Sequence, residues 1–283
     1  METAVILIQC PDRTGIIARV SDFIFRKGAN IIRSDQYSTD PQGGRFFMRI
    51  EFFFDPAALR TETLESEFNL LAEELDASWE IHYAATRMRM GILVSRQGHC
   101  LWDLLYRWDS GELPVELTCV VGNHENLRRP VEHYGVPFFH FPVSRETKPQ
   151  QEKQILQIIA DRTDFLALAR YMQILSGSFL EGYGKDVINI HHSFLPSFKG
   201  ADPYRQAHDR GVKVIGATSH FVTEDLDEGP IIEQVVERVT HKDSIALLKR
   251  KGRNLEKIAL ANAVQAYIEH RIIRFGHKTI VFE

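Results

Sequence analysis

The chain opens on an unbroken apolar run, Ala4-Val5-Ile6-Leu7-Ile8, bounded by the turn sequence Pro11-Asp12-Arg13-Thr14-Gly15. A short run of this kind predicts a buried strand over residues 4–10. Ile16, Ile17, Val20, Phe23 and Ile24 then recur at helical spacing, and Gly28-Ala29-Asn30 closes that helix as a C-terminal cap. Strand-like runs follow from Ile31 to Ser38 and from Arg45 to Phe54, separated by Asp40-Pro41-Gln42-Gly43-Gly44. A second helix is predicted from Thr61 to Leu75, carrying Leu64, Phe68, Leu71 and Leu75, and Trp79 to Tyr83 reads as a closing strand. The order βαββαβ predicts a ferredoxin-like domain over residues 1–84.

Beyond Ala84-Ala85-Thr86-Arg87 the pattern changes to strands alternating with helices. Strands are predicted at 90–94, 115–121, 165–168 and 187–190, with helices at 101–108, 125–134 and 150–160. Asp202-Pro203 opens a further helix that Gly211 closes, and a strand returns over 212–217. This alternation predicts an α/β domain over residues 88–283, with a mostly parallel sheet covered on both faces. Such sheets bind ligands beyond the carboxyl ends of their strands, which is where residues 189–192 fall.

Composition narrows the function classes. The chain has 283 residues, 44% hydrophobic and 25% charged, with a formal net charge of -4. That balance gives no overall pull toward nucleic acid or an anionic membrane. The basic run Lys249-Arg250-Lys251 lies in a helical stretch and reads as a solvated face. No segment approaches the roughly 18 consecutive apolar residues of a membrane span. The first strand begins without the basic flank and cleavage site of a signal peptide. Cys10, Cys100 and Cys119 lack metal-ligand spacing and read as reduced thiols, so a cytoplasmic location and no resident metal are expected. His191 and His192, consecutive in an extended segment, are expected to leave opposite faces and so not to share an ion.

The stretch Asn189-Ile190-His191-His192-Ser193-Phe194-Leu195-Pro196 carries the candidate chemistry, with His220-Phe221-Val222-Thr223 and Asp227 downstream. An amide, an imidazole and a carboxylate suit attack on a carbonyl carbon: an oxyanion donor, a proton carrier and a group to orient water. Asn189 and His191 are two apart, so a strand projects both from one face. A topology that sets the polar turn 224–230 beside this strand would bring Asp227 to His191. Taken singly, each has a plainer reading: Asn189 as a turn former, His191 as a core histidine, Asp227 as a solvated acid.

The wording of the stretch is more specific than its composition. Asn-Ile-His-x-Ser-x-Leu-Pro-x-Phe-x-Gly, then Gly-Ala-Thr-x-His-Phe-Val and Asp-x-Gly, resembles the folate-dependent formyltransferase family, and the α/β region fits that family's Rossmann-like fold. The resemblance implies a 10-formyltetrahydrofolate site with Asn189, His191 and Asp227 as the catalytic triad and no prosthetic group. It implies a pterin pocket from Arg170, Tyr171, Met172, Ile174 and Leu175, completed by the loop 223–228 that holds Asp225, with His192 and His220 as further substrate-binding residues. His192 is read either as lying near the vacant acceptor site or as satisfying backbone groups on the opposite strand face. Where transferases acting on glycinamide ribonucleotide carry a Gly-Ser-Asn phosphate loop, this chain has Ser95-Arg96-Gln97-Gly98-His99-Cys100.

Cys10-Pro11-Asp12-Arg13-Thr14-Gly15-Ile16-Ile17 resembles the opening loop of ACT domains, regulatory modules that often bind amino acids between subunits. Asp12, Gly15 and Ile16 are the candidate effector positions, with capping and turning as the alternative. Together these features are similar to the hydrolytic, deformylase branch of the family. The implied reaction splits 10-formyltetrahydrofolate into formate and tetrahydrofolate, Asp227 taking a proton from water. The implied partners are the folate, an amino-acid effector and further copies of the chain in a homo-oligomer, without nucleic acid or membrane. Transfer to an amine acceptor and a silent amino-acid sensor are the alternatives.

Overall fold

A computed structural model describes residues 2–40, 42–196 and 203–283. By contacts the chain forms two compact units, Met1–Arg87 with Glu269–Phe275 and Ile280–Glu283, and Met88–Ile268 with Gly276–Thr279.

The first unit runs β1 (Glu2–Pro11), α1 (Ile16–Arg26), β2 (Asn30–Ser38), β3 (Arg45–Phe54), α2 (Thr61–Leu75) and β4 (Ser78–Tyr83). Its sheet has the order β2-β3-β1-β4, and every pairing is antiparallel. Strand alternation sorts the side chains of β1. Ala4, Ile6 and Ile8 pack with Ile16, Val20 and Ile24 of α1 and Leu64, Phe68 and Leu75 of α2. Val5 and Leu7 turn the other way and join Phe47, Ile273 and Phe282. With both faces covered, the strand has no polar alternation, which accounts for the apolar run that opens the sequence. It also moves a boundary. The sequence reading gave all of 88–283 to the second domain, but the apolar residues near the C-terminus fill the second face of the first sheet.

The second unit runs β5 (Arg89–Val94), α3 (His99–Asp109), β6 (Glu116–Gly122), a 3-10 turn (Glu125–Leu127), α4 (Arg128–His133), β7 (Phe138–His140), α5 (Lys148–Ile159) and β8 (Phe165–Ala169). It continues through α6 (Gly177–Tyr183), β9 (Asp186–His191), α7 (Pro203–Asp209), β10 (Val214–Phe221), β11 (Ile231–Arg238) and α8 (Ile245–Ile268); the hairpin β12 (Ile272–Phe275) and β13 (Lys278–Val281) that ends the chain belongs mostly to the first unit, and the second unit is built around the larger of the two main sheets. Its sheet has the order β11-β10-β9-β8-β5-β6-β7. β5 to β9 pair in parallel, while β10 runs antiparallel to both β9 and β11. The expected helix cap Asp202 lies outside the described residues; Pro203 stands at the first position of α7.

The strand predicted over 212–217 in fact starts later and extends to Phe221. Pairing on both sides sustains it: Thr218 lies opposite His191 and His220 opposite Asn189 in β9, while Gln234 and Ile231 of β11 flank the other edge. This register places the side chain of His220 beside that of Asn189.

Candidate active site

Three strand ends and one turn build a cleft of about 290 Å3. β8 delivers Arg170, β9 delivers Asn189 and His191, β10 delivers His220, and the turn after β10 brings Asp225 and Asp227. Tyr171, Met172, Ile174, Leu175 and His192 also line it. Tyr171 and Leu175 are buried in the adjoining apolar core, whereas Met172 and Ile174 are 58% and 57% exposed. Two apolar side chains at a cleft rim are a ready surface for a flat ring.

Asp227 meets His191 in space: His191 Nδ1 lies 3.1 Å from Asp227 Oδ1. The same oxygen is 3.7 Å from His220 Nε2. The hydrogen bond from His191, then the nearby His220, holds the Asp227 carboxyl well below the usual carboxylate range against the upward push of burial. A carboxylate so held anchors the Nδ1–H of His191 and leaves Nε2 to do other work. That Nε2 is buried without a hydrogen-bond partner. His220 Nδ1 faces the Phe221 carbonyl oxygen at 2.8 Å and so carries a proton. Its Nε2 then accepts from Asn189 Nδ2 at 3.2 Å, which fixes the amide with its nitrogen turned toward the histidines.

Backbone geometry at the site is unusual in two places. Arg170 and Asp227 have φ of 63° and 58°, the left-handed region that non-glycine residues seldom occupy. Strain of this kind persists where the surrounding structure holds a residue in a working position.

His192 departs from expectation. β9 ends at His191, so strand alternation no longer governs the next residue. The His192 ring instead stacks on His191, with centroids 5.0 Å apart and planes at 24°, and it lines the same cleft. Burial, followed by Arg170 and His191, lowers its pKa to about 4, so it is a neutral neighbour at physiological pH.

Behind this ring sits a polar cluster that sequence reasoning missed. Glu256 of α8 is 1% exposed, with His99 Nε2 2.7 Å from its Oε2 and the Tyr204 hydroxyl donating to its Oε1 at 2.9 Å. Arg170 Nε lies 3.4 Å from Oε2. Burial pushes Glu256 up, yet His99, Arg170 and Tyr204 outweigh it and keep the carboxyl below its ordinary value. The sequence signal was an acid at an apolar-face position of α8, one turn after Gly252. A Cβ on Gly252 would collide with the Tyr204 ring and hydroxyl, so the glycine is what admits that ring to the helix.

His99, Cys100 and Glu256 present ligand atoms within 4.8 Å of one another. The donor chemistry suits hydrogen bonding better than a metal ion. A guanidinium already shares the carboxylate, and burial, followed by Glu256, holds the Cys100 thiol well above its ordinary value and therefore protonated. The three residues proposed for an effector fall in the first unit. There Gly15 caps α1 with φ of 88°, Ile16 is 2% exposed in the core, and Asp12 accepts a hydrogen bond from Ser38 Oγ.

Comparison with known proteins agrees with this architecture. A family profile described as formyl transferase matches residues 88–264, and one described as ACT domain matches residues 4–69. The formyltetrahydrofolate deformylase of Bacillus subtilis is 48% identical over 280 residues, covering 98% of this chain and 93% of the relative. The crystal structure of a formyltetrahydrofolate deformylase from Pseudomonas syringae pv. tomato superposes with a TM-score of 0.94 at 44% identity, over 100% of this chain and 95% of that one. A glycinamide ribonucleotide transformylase from Symbiobacterium toebii covers 71% of this chain and 97% of its own, with a TM-score of 0.65 and 29% identity. The chain belongs to the formyltetrahydrofolate deformylase family, an ACT domain joined to a formyl transferase domain.

Proposed function

We propose that the chain hydrolyses 10-formyltetrahydrofolate to formate and tetrahydrofolate, adjusting the one-carbon pool and supplying formate for purine biosynthesis. The observation that carries the reading is the pairing of His191 Nδ1 with an ionised Asp227 while Nε2 stays unpartnered, in the cleft that Asn189 also lines.

The chemistry follows from those atoms. Water adds to the formyl carbon, and the carbonyl oxygen becomes an oxyanion that the Asn189 amide stabilises through the N–H not given to His220. The proton released by water goes to His191 Nε2. Asp227 is too weakly basic to take it and acts instead by orienting the imidazole and favouring its charge. The C–N10 bond then breaks, His191 returns the proton to N10, and the carboxylic acid product ionises to formate. The sequence reading gave Asp227 the role of proton acceptor; its low basicity favours His191 for that step.

Water as the attacker is supported by the loop after β5. His99 and Cys100 form the first turn of α3, with His99 bonded to Glu256 and Cys100 buried, so that helix start offers side chains already engaged rather than an open phosphate cradle. Among the described residues no helix is long and apolar enough to cross a membrane. We place the activity in the cytoplasm, in a homo-oligomer whose first unit takes an amino-acid effector near Asp12, Gly15 and Ile16. Incubating the purified chain with 10-formyltetrahydrofolate and no amine tests the reading. Equal yields of formate and tetrahydrofolate are expected, whereas formyl loss only upon adding an amine would establish a transferase.

A further inference from the structure

Hydrolysis has a consequence that transfer to an amine lacks: a neutral formyl group becomes an anion inside the cleft. The lining of that cleft is acidic, with Glu224, Asp225 and Asp227 all contributing carboxylates. Among its described lining residues, Arg170 is the one guanidinium or ammonium. A formate released beside Asp227 meets like charge there, and Arg170 is the cationic side chain among the described lining residues.

Arg170 is built for more than its contact with Glu256. The side chain is 9% exposed, and its Nε and Nη1 lack any hydrogen-bond partner. Glu256 comes to 3.4 Å of Nε as an ion-pair partner without forming a hydrogen bond, while its oxygens also face Tyr204 and His99. Two buried, unsatisfied donors of a guanidinium are costly unless an acceptor visits them. A carboxylate oxygen can accept from a guanidinium N–H in a charge-assisted hydrogen bond. The left-handed backbone at Arg170 adds strain at the position that aims the group from the end of β8.

We propose that Arg170 forms a formate subsite, receiving the small carboxylate product as the C–N10 bond breaks and holding it apart from Asp227 until it leaves. The assignment rests on the hydrolytic reading above. The donor is Nη1, on the side of the guanidinium away from the Nε that faces Glu256, and the ligand class is a monocarboxylate small enough to share the cleft with the pterin.

The test uses the full chain and 13C-labelled sodium formate, with sodium chloride holding ionic strength constant. Formate binds the wild type saturably, by NMR titration, with tetrahydrofolate present, and it inhibits turnover competitively with 10-formyltetrahydrofolate. Arg170→Gly removes the guanidinium while suiting the left-handed backbone, and at saturating tetrahydrofolate it weakens formate binding by about tenfold or more. Should that variant not fold, the wild-type pattern decides alone. Absence of saturable formate binding, displacement of formate by tetrahydrofolate, or equal formate binding by a folded Arg170→Gly would overturn the subsite. The titration needs no turnover. Failure of the hydrolytic reading appears separately, as a wild type that releases no formate from 10-formyltetrahydrofolate.

Discussion

At the scale of single residues, a proton path runs through one imidazole with an amide beside it. Losing an oxyanion donor typically costs about 10²–10³ in kcat, so Asn189→Ala should fall by that factor in a steady-state assay while folate binding persists. Asp227→Asn replaces an acceptor with a group that can donate to Nδ1, leaving the hydrogen on Nε2 and removing the base. Its turnover should drop by about 10²–10⁴ with the fold intact by circular dichroism. Because the Asp227 carboxyl is held so far down, no limb of the wild-type pH–rate profile at or above about pH 4 belongs to it. The triad was legible because strand alternation and a distinctive wording converged on the same atoms. Strand alternation, carried one residue past the end of β9, turns His192 to the opposite face, although the family resemblance also places it among the substrate-binding residues. Glu256 was not legible, since what makes it notable is the arrival of His99, Tyr204 and Arg170 from distant segments.

At the scale of elements, β10 holds the site together. Thr218 is fully buried; its hydroxyl donates to the Ser193 carbonyl at 2.9 Å and accepts from the Leu195 N–H at 3.0 Å and from Gln234 Nε2 at 3.1 Å. One side chain thus ties the segment after β9 to β10 and β11. Thr218→Val keeps the shape and strands those groups, so urea denaturation should show a loss of about 1–3 kcal/mol. The helix α8 makes a second test. Gly252→Ala would normally gain about 1 kcal/mol of helix propensity. Here the Cβ meets Tyr204, so the variant should melt below the wild type. Long helices and strands with clear periodicity were readable from the sequence. β7, α6, β11 and the C-terminal hairpin were not, because short or edge elements take their form from partners elsewhere in the chain.

At the scale of the whole molecule, two histidines set the response to acid. Burial, then Arg170 and His191, lowers His192 to about 4, and burial, then His82 and Arg49, lowers His270 to about 3. His270 stacks on His82 with ring centroids 3.6 Å apart, in the first unit. The unfolded chain takes up protons at these rings near pH 6.5, where the folded chain does not. Stability is therefore full above about pH 6.5 and falls as pH drops toward about 4. Denaturation midpoints across that range should decline, and less steeply in His270→Phe. The division into a ferredoxin-like unit and an α/β unit was legible in the change from one pattern of elements to the other. The return of the last residues to the first sheet was not, since their short apolar runs name no partner.

The central claim is that water attacks the formyl carbon at Asn189, His191 and Asp227. Turnover in 18O-labelled water, with mass analysis of the formate, tests it most directly. One labelled oxygen per formate, at a rate that collapses in Asn189→Ala, is the predicted result; unlabelled formate, or formate formed equally fast without Asn189, would contradict it.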